Sequence, residues 1–137
     1  MSFEVLDISG DAGVRATGAS RQEALRDAAA GMYSLITDLS SVETRNTLQV
    51  SVTSDSPEGL LVRYLNELIF HFDTYGFIGR EVDAILTGDF SLTATVRGEA
   101  FDIARHERRV MIKAATYHNV RFEESGDGWI AEVMFDI

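Results

Sequence analysis

The sequence contains no cysteine, a single proline and a single lysine, and its longest apolar runs are pieces such as Leu60-Leu61-Val62 and Leu68-Ile69-Phe70. Without cysteine there are no disulfides, thiolate metal sites or cysteine nucleophiles. No run approaches the ~20 residues of a membrane-spanning helix, and the opening Met-Ser-Phe-Glu has neither the basic nor the apolar region of a signal peptide. These features predict a soluble, cytoplasmic protein. The serine-hydrolase elbow, phosphate-binding loop, dinucleotide fingerprint and zinc-protease helix are also missing. His71, His106 and His118 lie far apart without metal-ligand spacing, so zinc is disfavoured.

What is present describes one folded unit. With 137 residues, 45% hydrophobic and 25% charged, the chain is long enough for one core, and residues 1–137 are read as a single domain. There are 22 acidic against 12 basic residues, a net charge of −10, spread from Glu4 to Asp136 rather than gathered in a tail. Binding nucleic acid draws its energy from Lys and Arg set against phosphates, so stable direct contact with RNA or DNA is not expected. Dispersed carboxylates suit divalent cations or a basic cleft on another protein.

Hydrophobic periodicity and turn residues order the elements. Phe3–Ile8 reads as a strand ended by a Ser9–Gly13 loop, and Val14–Thr17 as a second strand. Ser20-Arg21-Gln22-Glu23 is a capping box that opens a helix with Leu25, Ala28, Ala29, Met32 and Ile36 on one face and Arg21, Arg26 and Asp27 on the other. It ends near Thr37-Asp38. Leu48, Val50 and Val52 alternate as a strand, Ser56-Pro57-Glu58 starts a second helix, and Gly76 stops it. Strands are expected over 77–87, 90–97, 110–117, 120–123 and 129–137, with turns at Gly88-Asp89 and over Ser125–Gly128. Two helices among hairpin-linked strands predict an α+β fold with a mainly antiparallel or mixed sheet.

Asp11, in a glycine loop, is either an Asx-turn residue or a cation ligand. Asp136 is either a solvated strand end or a partner of Asp11, should the two meet around a shared Ca²⁺ or Mg²⁺. The charge-dense segment from Gly98-Glu99 through Arg109 reads as a solvated loop where partner contacts could concentrate. Lys113 reads as an exposed strand lysine.

Taken together, these segments resemble the archease family over nearly the whole chain. The resemblance is carried by Asp7-Ile8-Ser9-Gly10-Asp11-Ala12-Gly13, Met32-Tyr33-Ser34-Leu35-Ile36-Thr37-Asp38, and Leu65-Asn66-Glu67-Leu68-Ile69-Phe70 with Asp73 and Gly76-Phe77. It continues in Gly98-Glu99 with Asp102 and His106, in Lys113-Ala114-Ala115-Thr116-Tyr117-His118, and in Val133-Met134-Phe135-Asp136-Ile137. Membership would imply an α+β accessory protein that is not itself an enzyme. Its partner would be the RtcB-type RNA ligase, which joins 2′,3′-cyclic-phosphate or 3′-phosphate ends to 5′-hydroxyl ends in tRNA splicing and RNA repair. The helper would promote guanylylation of the ligase histidine by GTP and let the ligase turn over repeatedly. By motif, the resemblance assigns a divalent ion, Ca²⁺ first and Mg²⁺ or Mn²⁺ as alternatives, to Asp11, Asp136 and Ile137. It assigns a contact with the ligase or its nucleotide to Lys113. One departure stands out: the family commonly reads His-Thr-Ala-Asp where this chain has Ile8-Ser9-Gly10-Asp11. Two other readings compete: a chaperone-like interaction module indifferent to metal, and a small hydrolase using the two aspartates as acid and base.

Overall fold

Two serines start the two helices of the computed structural model, which describes residues 2–8 and 10–137; Met1 and Ser9 lie outside the described residues. The Ser20 hydroxyl accepts from the Glu23 N–H at 3.2 Å, and the Glu23 carboxylate accepts from the Ala19 N–H at 2.6 Å, which opens α1 (Arg21–Ile36). Ser56 accepts from the Gly59 N–H at 2.9 Å ahead of α2 (Pro57–Tyr75). Each such cap contributes about 1 kcal/mol. Gly76, at φ 70°, ends α2 by donating its N–H to the Phe72 carbonyl at 2.8 Å, a left-handed turn that glycine adopts without steric cost.

The strands are β1 (Phe3–Ile8), β2 (Asp11–Gly18), β3 (Asn46–Thr53), β4 (Phe77–Gly88), β5 (Ser91–Ala100), β6 (Ala114–Ala115), β7 (Arg121–Ser125) and β8 (Gly128–Asp136). The fold is α+β, and every pairing among the described residues is antiparallel. One sheet runs β1-β2-β8, with β7 and β6 following one another along the far side of β8; the other runs β3-β5-β4. Helix α1 packs on β2 and β4, and α2 on β3, β6 and β7, so each helix touches both sheets and a single core results. Tyr33, Tyr64, Leu65, Phe122 and Phe135 are among its fully buried side chains.

Four expectations are corrected. Asp11 to Gly13 are not loop: β2 begins at Asp11, which pairs with Ile8 of β1, and Gly10 stands at φ 86°; the Ser9 part of the expected loop lies outside the described residues. The expected 110–117 strand shrinks to the two residues of β6. The reason lies in hydrogen bonding: the N–H groups of Arg109 and Val110 go to the Ile36 and Leu35 carbonyls at the end of α1, at 2.9 and 3.0 Å, instead of to a neighbouring strand. The β4–β5 turn falls on Asp89-Phe90, one residue later than expected, because β4 carries an irregularity between Leu86 and Gly88. Asp27 leaves the polar face of α1: it is buried, accepting from the Ser2 N–H and the Arg26 guanidinium, both at 2.9 Å.

Candidate functional site

The two aspartates from opposite ends of the chain stand at the ends of neighbouring strands. β2 and β8 pair antiparallel with Ala12 opposite Phe135, Val14 opposite Val133 and Ala16 opposite Ala131, all six buried in the core. The ladder ends on Ala12 and Phe135; continued by one residue, its register would set Asp11, the first residue of β2, opposite Asp136, the last of β8. Side chains alternate across a strand, so both carboxylates fall on the face turned away from the core, and both residues are exposed. Directly opposed Cβ atoms lie about 5 Å apart, where like charges repel.

Next along that face, beyond Gly13 and Met134, Arg15 donates to Glu132 at 2.5 Å and to Glu4 at 2.8 Å, so these two carboxylates share a cation. Nothing comparable serves Asp11 and Asp136. Among the described residues neither side chain takes part in a hydrogen bond or ion pair with another protein group. An uncompensated pair of hard oxygen donors is what Ca²⁺ or Mg²⁺ selects, and the donor set fits such an ion. The set is small: among the described residues no three His, Cys, Asp or Glu side chains are grouped to hold a metal. Further ligands would come from main-chain oxygen, of which Ile137 is the adjacent source, and from water.

Between the aspartates and Arg15 lies Gly13, opposite Met134. A Cβ at this position would meet the Met134 sulfur and the Val133 carbonyl. Glycine is therefore required for β2 to approach β8 closely, two residues from Asp11.

Lys113 comes to the same end of the sheet from the other side. Its N–H donates to the Asp136 carbonyl at 2.8 Å, and the next residue, Ala114, pairs with Asp136 in the sheet. The segment is strapped down twice more. The Asn66 side chain on α2 gives to the Ala115 carbonyl at 3.2 Å and accepts its N–H at 2.8 Å, and Thr116 bonds the Met134 carbonyl through both N–H and hydroxyl at 3.0 Å. Lys113 is exposed, and among the described residues its ammonium has no ion-pair partner. Asp11, Asp136, Ile137 and Lys113 thus gather at one end of three neighbouring strands.

Periodicity missed a buried ionic cluster. Glu99, 3% exposed, accepts from the Glu43 N–H at 2.7 Å, from Arg105 at 2.6 Å and from His106 Nε2 at 3.0 Å. His106 is 1% exposed, and its Nδ1 accepts the Asp102 N–H at 2.8 Å, so the ring proton sits on Nε2 and is given to Glu99. The Glu43 N–H, followed by Arg105 and His106, holds the Glu99 carboxyl at about 2, well below its ordinary 4.5, against the opposing effect of burial. The 98–109 segment is therefore not simply solvated; it is clasped around this pair. Phe101 stacks on His106 with ring centroids 5.4 Å apart, and its N–H bonds the Gly76 carbonyl at 2.7 Å. The clasp fixes the chain that leads from β5 to Lys113. No sequence period could find it, because Glu99 sits on the outward side of β5 and is covered by residues 43–45 and 105–106.

The family model of the Archease protein family matches residues 3–137. Protein archease of Methanosarcina barkeri is 33% identical over 139 residues, covering 98% of this chain and 95% of that protein. Protein archease of Sulfurisphaera tokodaii is 32% identical, covering 98% of each. The solution structure of protein 1598 of Methanobacterium thermoautotrophicum superposes with a TM-score of 0.81 at 33% identity, covering 99% of both chains. The crystal structure of a Thermotoga maritima archease, described as a possible chaperone, shares the fold with a TM-score of 0.65 at 19% identity, covering 98% of this chain and 96% of that one. None of these names states a catalytic activity.

Proposed function

The chain belongs to the archease family, and from that premise we propose that it is a metal-binding accessory protein that activates the RtcB-type RNA-splicing ligase. It does so by promoting guanylylation of the ligase and multiple turnover, in tRNA splicing and RNA repair. The observation that supports this reading is the β2–β8 register, which ends on Ala12 opposite Phe135 and so leaves Asp11 and Asp136 as neighbouring strand ends, with Lys113 bonded to the Asp136 carbonyl. Asp11, Asp136 and main-chain oxygen of Ile137 would hold the divalent ion, Ca²⁺ first with Mg²⁺ or Mn²⁺ as alternatives, all of which accept such oxygen donors. When bound, the ion neutralises the two carboxylates and supplies positive charge toward phosphate oxygens. Lys113 presents its ammonium to the ligase or its nucleotide, held in place by the Asp136 carbonyl and, through Ala115, by Asn66. A net charge of −10 favours docking at a basic, RNA-binding mouth without competing for the RNA itself.

The test is transfer of GMP from labelled GTP to the ligase. Native protein accelerates labelling, while Asp136→Ala, folded by circular dichroism, does not. Equal acceleration by Asp136→Ala would remove the metal from the account. Activity toward many unrelated clients, unchanged by chelator, would favour the chaperone-like reading, which exposed Phe70, Tyr75 and Tyr117 otherwise support.

A further inference from the structure

Edge strands offer unpaired backbone groups and are normally protected by charge, proline or bulges. Three edges of this fold follow the rule. β1 carries Glu4 and Asp7, β4 carries Arg80, Glu81 and Asp83 with two irregularities in its register, and β7 carries Arg121, Glu123 and Glu124. β3 does not. Its eight residues, Asn46–Thr53, contain no charge, no proline and no glycine, in a chain where 25% of residues are charged. Its pairing with β5 is free of register shifts.

The N–H of Ser54 donates to the Phe90 carbonyl at 2.8 Å, which marks that opposed pair as hydrogen-bonded. Bonded and non-bonded pairs alternate in an antiparallel ladder, so the even-numbered residues of β3 bond β5 and the odd-numbered ones point their backbone groups outward. Thr53 has its carbonyl taken by Arg63 at 3.0 Å. Thr47, Gln49 and Ser51 keep both N–H and C=O, and among the described residues none of the six has a backbone partner. Beside them, between β3 and α2, runs a groove of about 540 Å³ with Val52, Val62, Phe70 and Tyr117 as its apolar wall and Arg63, Asn66 and Glu67 of α2 as its polar one; Phe70 is 49% and Tyr117 60% exposed.

We infer that this edge is the interface with a second copy of the chain, in which two β3 strands pair antiparallel about a two-fold axis at Gln49. That register is self-complementary at every step. Thr47 faces the second copy's Ser51 and Gln49 faces its own equivalent, which engages all six free groups on each strand. On the inner face Leu48 meets Val50 across the axis, and the groove wall of Phe70 and Tyr117 is covered. A chain of net charge −10 repels its own copy, and β3, with no charged residue, adds nothing to that repulsion where the two strands meet. The two three-stranded sheets become one of six strands.

Sedimentation equilibrium from low micromolar to millimolar protein tests the inference, using native chain, Gln49→Lys and Gln49→Glu. The native chain associates to a dimer. Each single variant sets like charges opposite one another at the axis and weakens the dimer by about fivefold, whereas an equimolar mixture of the two restores it. The Gln49 side chain is exposed and its backbone faces away from β5, so both variants keep the fold, and recovery in the mixture shows it. A native chain that stays monomeric at millimolar concentration overturns the inference. So do variants that dimerise like the native chain, or a mixture no better than its components.

Discussion

Lys113 and Asp136, 23 positions apart in the sequence, are joined by a main-chain hydrogen bond of 2.8 Å, so the single lysine of the chain and its penultimate residue form one structural unit. The carboxylate of Asp136 and the ammonium of Lys113 therefore belong to one surface. They need not have the same task. Lys113→Ala is expected to abolish stimulation of the ligase while leaving Ca²⁺ binding unchanged in calorimetry, and Lys113→Arg to restore part of the stimulation. Loss of Ca²⁺ binding in Lys113→Ala would show that the lysine serves the ion site instead.

Continued by one residue, the β2–β8 register sets Asp11 and Asp136 side by side as like charges, and on the proposed reading they share a cation. In chelator, Asp136→Asn should therefore be about 0.5 kcal/mol more stable than the native chain in urea unfolding, since one of two directly opposed like charges is gone. With Ca²⁺ present the order reverses, because only the native chain is stabilised by binding. Asp11→Asn should behave alike. A native chain whose unfolding midpoint ignores Ca²⁺ would contradict the ion site.

Gly13 lets β2 close on β8 under Met134, and alanine there meets both the Met134 sulfur and the Val133 backbone. Gly13→Ala is expected to cost about 1–3 kcal/mol, the range of an overpacked core site, and to weaken Ca²⁺ binding by displacing Asp11 two residues away. Restored stability in Gly13→Ala combined with Met134→Ala would assign the cost to the side-chain contact.

The Glu99–His106 clasp gives stability a defined acid limb. Glu99 has its ordinary value of 4.5 lowered to about 2 in the fold. Its contribution is fully present above the unfolded value and is lost as pH falls from there through the folded value. Glu99→Ala should cost about 1–3 kcal/mol near neutral pH, since the Glu43 N–H and the His106 Nε2–H lose their acceptor while the half-exposed Arg105 returns to water. The gap between native and variant should close toward pH about 2. A gap independent of pH would mean that the cost is packing and not charge.

Local rules made most of the fold legible. Ser20 and Glu23, Ser56 and Pro57, and Gly76 mark helix ends whose chemistry is confined to a few neighbouring residues, and the alternation of Leu48, Val50 and Val52 reports one buried face. What failed depends on distant partners. Residues 109 and 110 have strand-like neighbours, yet their N–H groups are claimed by the end of α1. Asp27 looked like a solvent-facing helix residue because the Ser2 N–H that receives it lies 25 positions away. The site divides in the same way. Its residues could be named by motif, but that Asp11 faces Asp136 follows from the β2–β8 register, which no single strand's period encodes.

The most direct measurement is ligation of RNA bearing a 2′,3′-cyclic phosphate, with limiting RtcB-type ligase, GTP and Mn²⁺, in the presence and absence of this protein. Conversion is expected to rise from about one turnover per ligase to many with the native chain, and not to rise with Asp11→Ala or Asp136→Ala. Conversion that is the same with and without the native chain would contradict the activator role.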